Sequence, residues 1–267
     1  MADRTGSFIW YELLTSDAAA AKRFYDAVVG WDVEPTPAGP IDYRMIRRRD
    51  GGNAGGLMPL SAEMRAAGAR PGWLGYVSVD DVDATVAAAQ ADGGAVHMPP
   101  TTMDGIGRMA MIADPQGASF YVMAPTPPPG QADAASDVFS VDRPQHVRWN
   151  ELASSDPEAA LAFYNRHFGW TQGGAMPMGE LGDYRFLQHG GVGIGALTNL
   201  MPGMPGSSWT YYIGVEDIDR ALEAVTGGGG QVLAGPDQIP GGEYSITAID
   251  PQGAAFGLVG PRKESQA

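Results

Sequence analysis

The chain has no cysteine among its 267 residues. That absence excludes disulfides, thiol nucleophiles and thiolate metal sites, and it leaves the sequence indifferent to the redox state of its compartment. Histidine is scarce: His97, His146, His167 and His189 are the only four, and they form no HxH or HExxH pattern. Basic residues are few as well, with 17 Lys and Arg against 31 Asp and Glu, a formal net charge of −14. A nucleic acid needs cationic side chains to displace its counterions, so it is not an expected partner, and an anionic membrane surface would be repelled. No apolar run approaches the roughly 18 residues of a membrane span. Residues 1–10 carry no basic stretch followed by an apolar core, so no secretory signal is read there. The expectation is a soluble, cytoplasmic protein. With 44% hydrophobic and 18% charged residues, the chain has the composition of an ordered globular protein rather than a disordered one. Its length suits one large domain or two of ordinary size.

What the sequence does contain is itself, twice. Residues 8–31, FIWYELLTSDAAAAKRFYDAVVGW, align without a gap to residues 147–170, VRWNELASSDPEAALAFYNRHFGW. Trp10 falls on Trp149, Glu12 on Glu151, Asp17 on Asp156, Phe24-Tyr25 on Phe163-Tyr164 and Gly30-Trp31 on Gly169-Trp170. Asp42-Tyr43-Arg44 matches Asp183-Tyr184-Arg185, Trp73 matches Trp209, and Asp114-Pro115-Gln116-Gly117-Ala118 recurs unchanged at Asp250–Ala254. The chain therefore reads as two homologous domains, 6–127 and 145–262, joined by a Pro-, Gly- and Ala-rich linker over 128–144.

Each half contains a smaller unit. A short apolar strand runs into an acidic cap (Ser16-Asp17, Asp80-Asp81, Ser155-Asp156, Glu216-Asp217), then a helix of about three turns. Apolar residues recur at helical spacing, as in Ala21, Phe24 and Val28, or Ile218, Leu222 and Val225. Glycines stop the helices, and strand-like runs such as Tyr43–Ile46, Arg108–Ile112 and Tyr244–Ile249 follow. The expected fold is α+β, four βαβββ modules.

This pattern of strand, acidic cap, helix with Phe-Tyr, Gly-Trp stop and Asp-Pro-Gln-Gly resembles the vicinal oxygen chelate superfamily of glyoxalase I, the bleomycin resistance proteins and the extradiol dioxygenases. The chain is similar to the tandem, two-domain glyoxalase-like proteins of bacteria. The resemblance implies two glyoxalase-like domains with curled mixed sheets, each around a pocket. It also implies a divalent ion held by His, Gln or Glu at set strand positions. In this sequence those positions fall on Trp10 and Trp149, on Leu74 and Thr210, and on Tyr121 and Gly257. None supplies the imidazole or carboxylate such an ion requires. The four histidines do not repeat between halves and read as surface or edge residues. No metal and no cofactor are expected.

Side chains alternate faces along a strand, so Trp10 shares a face with Glu12, and Trp149 with Glu151. By resemblance this is the pocket face. A carboxylate beside indole in a partly dry cleft is a candidate acid–base group, which makes Glu12 and Glu151 the candidate catalytic residues. The alternative is that both only accept hydrogen bonds from the sheet or from an Arg. Tyr43-Arg44 and Tyr184-Arg185 offer one side chain of each pair to a ligand, with Arg paired to Glu12 or Glu151 as the structural option. Trp73 and Trp209 form either an aromatic wall or core between modules. Tyr121 completes the candidate ligand contacts, and the methionines, Met178, Met201 and Met204 among them, suit an adaptable apolar cavity or lid. Two glycine-rich runs carry no function: Gly191–Gly195 is not followed by a helix, and Gly227–Gly230 is a helix stop.

The expected function is binding of a small, largely apolar or aromatic organic molecule without the usual metal, by a monomer or homodimer. The alternative is an enzyme of lyase, isomerase or dioxygenase type, either metal-free with a pocket Glu as acid–base or with an atypical divalent-metal site.

Overall fold

The computed structural model describes residues 5–37, 41–127, 130 and 134–263. Residues 128–129 and 131–133 of the expected linker lie outside the described residues. Each of the four expected modules is present. The first comprises β1 (Phe8–Thr15), α1 (Ala18–Val29), β2 (Asp32–Val33), β3 (Arg44–Arg47) and β4 (Asn53–Pro59), and a short helix α2 (Ala62–Ala66) follows it. The second comprises β5 (Gly72–Ser78), α3 (Val82–Ala91), β6 (Ala95–Met103), β7 (Gly107–Ala113) and β8 (Ser119–Pro125). The third comprises β9 (Val147–Ser154), α4 (Pro157–Phe168), β10 (Thr171–Pro177), β11 (Asp183–His189) and β12 (Val192–Asn199). The fourth comprises β13 (Ser208–Gly214), α5 (Ile218–Gly227), β14 (Gln231–Gln238), β15 (Tyr244–Ile249) and β16 (Ala255–Gly260).

The acidic caps act as the sequence implies. The carboxylate of Asp17 accepts from the amides of Ala19 and Ala20, Asp81 from Ala84, Asp156 from Ala159, and Asp217 from Asp219 and Arg220. Each bond satisfies an amide that has no partner within the helix. Gly30 and Gly169 end α1 and α4 at φ of 80° and 70°, a conformation an L side chain resists.

Two eight-stranded mixed sheets result, in the orders β2-β3-β4-β1-β5-β8-β7-β6 and β10-β11-β12-β9-β13-β16-β15-β14. Within each module the first and last strands run parallel and the remaining pairs antiparallel, as with Glu12 opposite Gly56 and Glu151 opposite Ala196. No helix of the described residues is long and apolar enough to cross a membrane.

The compact units do not follow the halves of the sequence. Unit one takes the described residues of Met1–Trp10, Leu74–Ser136 and Trp149–Trp209, and unit two those of Tyr11–Trp73, Asp137–Arg148 and Thr210–Ala267. Each unit thus joins a module from one half to a module from the other: second with third, first with fourth. In unit one α3 packs on α4, and in unit two α1 packs on α5. The core of unit one centres on Tyr164, stacked on Trp170 with centroids 5.0 Å apart and edge-on to Trp209 at 5.5 Å. In unit two, Tyr25 lies edge-on to Trp73 at 5.4 Å and to Phe256 at 5.4 Å.

Candidate functional site

The Asp-Pro-Gln-Gly turns prove to be anchors of these cores. In unit two the indole N–H of Trp73 donates to the Tyr25 hydroxyl (2.9 Å), which donates to Asp250 (3.1 Å). The other Asp250 oxygen accepts from the amides of Gln252 and Ala254, both at 2.9 Å. Unit one repeats the arrangement: Trp209 donates to Tyr164 (3.3 Å), and Tyr164 donates to Asp114 (3.0 Å). Asp114 accepts from Gln116 and Ala118 as well. Burial pushes both carboxyls above the usual range, and their hydrogen bonds only partly offset it. The Tyr25 hydroxyl is pushed well up too, first by burial and then by the Asp250 charge. The structure therefore places Trp73 and Trp209 in the core, and not as an aromatic wall facing a ligand.

The strand faces carrying the glutamates are built differently. On β9, Asn150 and Leu152 are buried against the core, which leaves Trp149 and Glu151 on the opposite, half-buried face. β11 alternates the same way, with Leu187 buried and Tyr184 and Phe186 half-buried. These four side chains meet. The Trp149 indole N–H donates to the Tyr184 hydroxyl (2.7 Å), which donates to Oε2 of Glu151 (2.7 Å). Phe186 stands edge-on to Trp149 (6.2 Å, 74°) and to Tyr184 (5.7 Å, 71°). A half-buried carboxylate is thus framed by three aromatic rings.

In unit two Glu12 is 3% exposed and pairs in register with Gly56. A Cβ on Gly56 would lie 2.0 Å from the Tyr43 hydroxyl, so the Tyr43 ring covers the strand position beside Glu12. Trp10 is half-buried.

The arginines depart from the sequence expectation. Arg44 is 5% exposed and bonds to both carboxylate oxygens of Asp42 (2.7 and 2.9 Å) and to Thr36, while Arg185 lies 3.8 Å from Glu158 on α4. The reason is alternation: tyrosine occupies the glutamate side of each strand, which turns the neighbouring arginine to the other face. The Asp42 partner holds the Arg44 guanidinium above its ordinary range and is itself held below the usual carboxylate range. Tyr121 is 6% exposed and stacks on Tyr76 with centroids 4.2 Å apart at 11°.

His146 is a further correction, since it is 2% exposed rather than at the surface. Its Nδ1 lies 2.8 Å from the Pro144 carbonyl, Nε2 is buried without a partner, and burial lowers its pKa. His97 is exposed, His189 half-buried, and His167 places Nε2 2.9 Å from Asp92. Phe186 went unremarked in the sequence. Its signal was the two-residue spacing from Tyr184 on a strand, which puts both rings on one face.

The positions that the family resemblance assigns to metal ligands do not fit a divalent ion. The Trp149 N–H is a donor already spent on Tyr184, Tyr121 is stacked on Tyr76, and Gly257 is covered by the Tyr212 ring, 2.3 Å from where a Cβ would stand. Trp10, Leu74 and Thr210 offer neither carboxylate nor imidazole. Among the described residues no three His, Cys, Asp or Glu side chains gather closely enough to hold an ion.

Comparison with known proteins matches this architecture. The model of the Glyoxalase/Bleomycin resistance protein/Dioxygenase superfamily matches residues 7–122 and again 143–258. The chain is 35% identical over 262 residues to the Mycobacterium bovis protein named "Putative glyoxylase CFP32", covering 97% of this chain and 96% of that one. It is 28% identical over 281 residues to the anthracycline biosynthesis protein DnrV of Streptomyces peucetius, covering 95% and 93%. Among solved structures, the Mn(II)-bound glyoxalase from Novosphingobium aromaticivorans shares the fold at 17% identity and TM-score 0.62, over 98% of this chain and 84% of that one. A variant of homoprotocatechuate 2,3-dioxygenase from B. fuscum does so at 15% identity and TM-score 0.65, over 98% and 73%. By sequence repeat, module topology and family match together, this chain belongs to the Glyoxalase/Bleomycin resistance protein/Dioxygenase superfamily.

Proposed function

We propose that this protein binds a small, largely apolar or aromatic organic molecule on its glutamate-bearing strand faces, without a divalent ion at the family's usual positions. The observation that carries the reading is the Trp149–Tyr184–Glu151 chain with Phe186 beside it: aromatic surface for contact, and one carboxylate to orient a polar group. Glu12 with Tyr43 is the corresponding pair in the first half. Tyr121, stacked on Tyr76, adds aromatic surface on β8. The relatives named for glyoxylase activity and for anthracycline biosynthesis support a small organic molecule as the ligand class. The test is a thermal-shift panel of aromatic and apolar molecules, read beside elemental analysis of the protein before and after chelation. Stabilisation by members of the panel with no stoichiometric metal is the expected result. Stoichiometric iron, zinc, nickel or manganese, or no stabilising molecule at all, would overturn it.

One observation favours a second reading, an enzyme with Glu151 as acid–base. The Tyr184 hydroxyl is 2.7 Å from the carboxylate, a distance at which a proton can pass between a ligand-facing group and the carboxylate. A Glu12→Gln, Glu151→Gln double variant that keeps full turnover of an identified substrate would refute this reading.

A further inference from the structure

We propose that residues 137–147, which lead from the linker into β9, are an acid-sensitive latch. The latch is docked on the turn between β3 and β4 while the His146 ring is neutral, and it is released when the ring takes up a proton. Arg48, in that turn, is 1% exposed along its side chain and donates to Oδ2 of Asp137 at 2.5 Å. Gln145 holds the other end. Its side chain accepts from the Arg49 amide (2.8 Å) and donates to the Gly30 carbonyl, and its own carbonyl accepts from the Trp31 indole (2.9 Å). β13 completes the docking: the Gln145 amide donates to the Gly214 carbonyl (2.7 Å), and the Gly214 amide to the His146 carbonyl (2.8 Å). Gln145 takes a φ of 63°, a left-handed conformation that a side chain resists, so the segment keeps it only while these bonds hold.

His146 sits among these holds, 2% exposed. Its Nδ1 lies 2.8 Å from the Pro144 carbonyl, which can only accept, so Nδ1 carries the hydrogen of the neutral ring. Nε2 is then a bare lone pair, buried and with no hydrogen-bond partner among the described residues. Protonation puts a second N–H at that atom with no acceptor for it, and an orphaned buried donor is costly.

The charged groups around the ring oppose the proton as well. Arg48 and Asp50 face it from the β3–β4 turn and Arg143 from its own segment, while β13 contributes the uncharged Gly214 backbone. Two of the three are cations, and Asp50 is engaged by Arg48 (3.1 Å) and by the Gly52 amide (2.9 Å). Burial first, then Arg48 and Arg143, lower the His146 pKa, and the Pro144 carbonyl and Asp50 only partly offset this. In the released segment the ring returns to its ordinary value of 6.5. Docking is therefore fully favoured above that value and loses its advantage as pH falls from it to the lowered one. The buried carboxyls Asp114 and Asp250 are raised and act with the opposite sign, so they do not cause a release in acid.

Hydrogen–deuterium exchange of the whole protein at pH 7.5 and pH 5.5, corrected for the intrinsic exchange rate, tests this. Peptides covering 137–147 should open more at pH 5.5, by up to about tenfold, the limit for one proton over one pH unit below 6.5. Peptides of α5 should not follow. His146→Asn keeps an N–H toward the Pro144 carbonyl and cannot gain a proton, so it should abolish the step. Asp137→Asn removes one hold and spares the ring, so it should raise opening at both pH values and keep the step. Should His146→Asn fail to fold by circular dichroism, the ring resonances of His146 in the parent protein decide: a titration midpoint below 6.5 supports the latch, and one at or above 6.5 overturns it. Equal opening at the two pH values, a step that survives in His146→Asn, or an equal rise in α5 would also overturn it.

Discussion

The change Tyr25→Phe tests the claim that the buried Trp–Tyr–Asp chains hold the modules together. It deletes one oxygen and leaves the ring, so the edge-on contacts with Trp73 and Phe256 remain. Two hydrogen bonds go, the Trp73 donation at 2.9 Å and the donation to Asp250 at 3.1 Å. Trp73 is 6% exposed, so its N–H is left without water, and an orphaned buried donor costs about 1–3 kcal/mol. Asp250 keeps two amide donors but loses its third partner, which adds to the loss. The two effects share one hydroxyl and are not fully additive, so the expected destabilisation is about 3 kcal/mol. Urea titration followed by tryptophan fluorescence and by far-UV circular dichroism reads it directly. The Asp250 carboxyl is raised by burial above its ordinary value of 3.8, and Tyr25 is one of the groups that restrain the rise. Losing it raises the folded-state value further. A raised carboxyl contributes fully below its unfolded value, and that contribution disappears as pH rises through the folded value. The penalty should therefore be larger at neutral pH than near pH 4. A variant within about 0.5 kcal/mol of the parent at neutral pH would refute the reasoning, being no more than a neutral surface substitution costs.

Further outcomes follow from the same geometry. Tyr164→Phe should cost less than Tyr25→Phe in the same assay, because the Trp209 donation it removes is longer at 3.3 Å. Asp114→Asn with Asp250→Asn should flatten the fall of stability above pH 4 that the two raised carboxyls cause, measured by urea midpoints across pH. Asp42 and Asp50 have the opposite sign: Asp42 is held low by hydrogen bonding to Arg44, and Asp50 by the Gly52 amide and then Arg48. Their contributions should fade as pH falls through their depressed values. Gly195→Ala would set a Cβ 1.8 Å from the Asn150 carbonyl oxygen, against backbone that cannot give way, and should cost about 1–3 kcal/mol or more in thermal unfolding. Gly206→Ala, with nothing within 4 Å, should leave the melting temperature unchanged.

The fold was legible because its signals are local and stated twice. Asp17, Asp81, Asp156 and Asp217 each announce a helix start within four residues, and the repeat multiplies that signal across the chain. Pairing between modules was not legible. Tyr25 finds Asp250 and Tyr164 finds Asp114 across the two halves, and either half alone contains both a Phe-Tyr and an Asp-Pro-Gln-Gly, so residue identity cannot decide which joins which. At the site, alternation correctly put Trp149 with Glu151. The same rule applied to Tyr184-Arg185 left two choices of face, and only the strand register resolves it in favour of tyrosine. His146 was misplaced for a similar reason: its burial comes from packing around the segment that precedes β9, which no local pattern reports.

The Asp114–Tyr164 bond spans 50 residues and the Tyr25–Asp250 bond spans 225, and this difference sets a timetable for the nascent chain. At the usual pace of synthesis, about 5–20 residues per second, Tyr25 leaves the ribosome roughly 10–45 s before its carboxylate partner exists. The second and third modules meet early, while the first must wait with Phe24 and Tyr25 uncovered until the fourth is made. Stalled ribosomes carrying chains of increasing length should therefore show protease resistance around Asp114–Tyr164 well before any at α1. The pairing of the first module with the fourth is thus what finishes last, and the first module is the stretch in which a chaperone would be met.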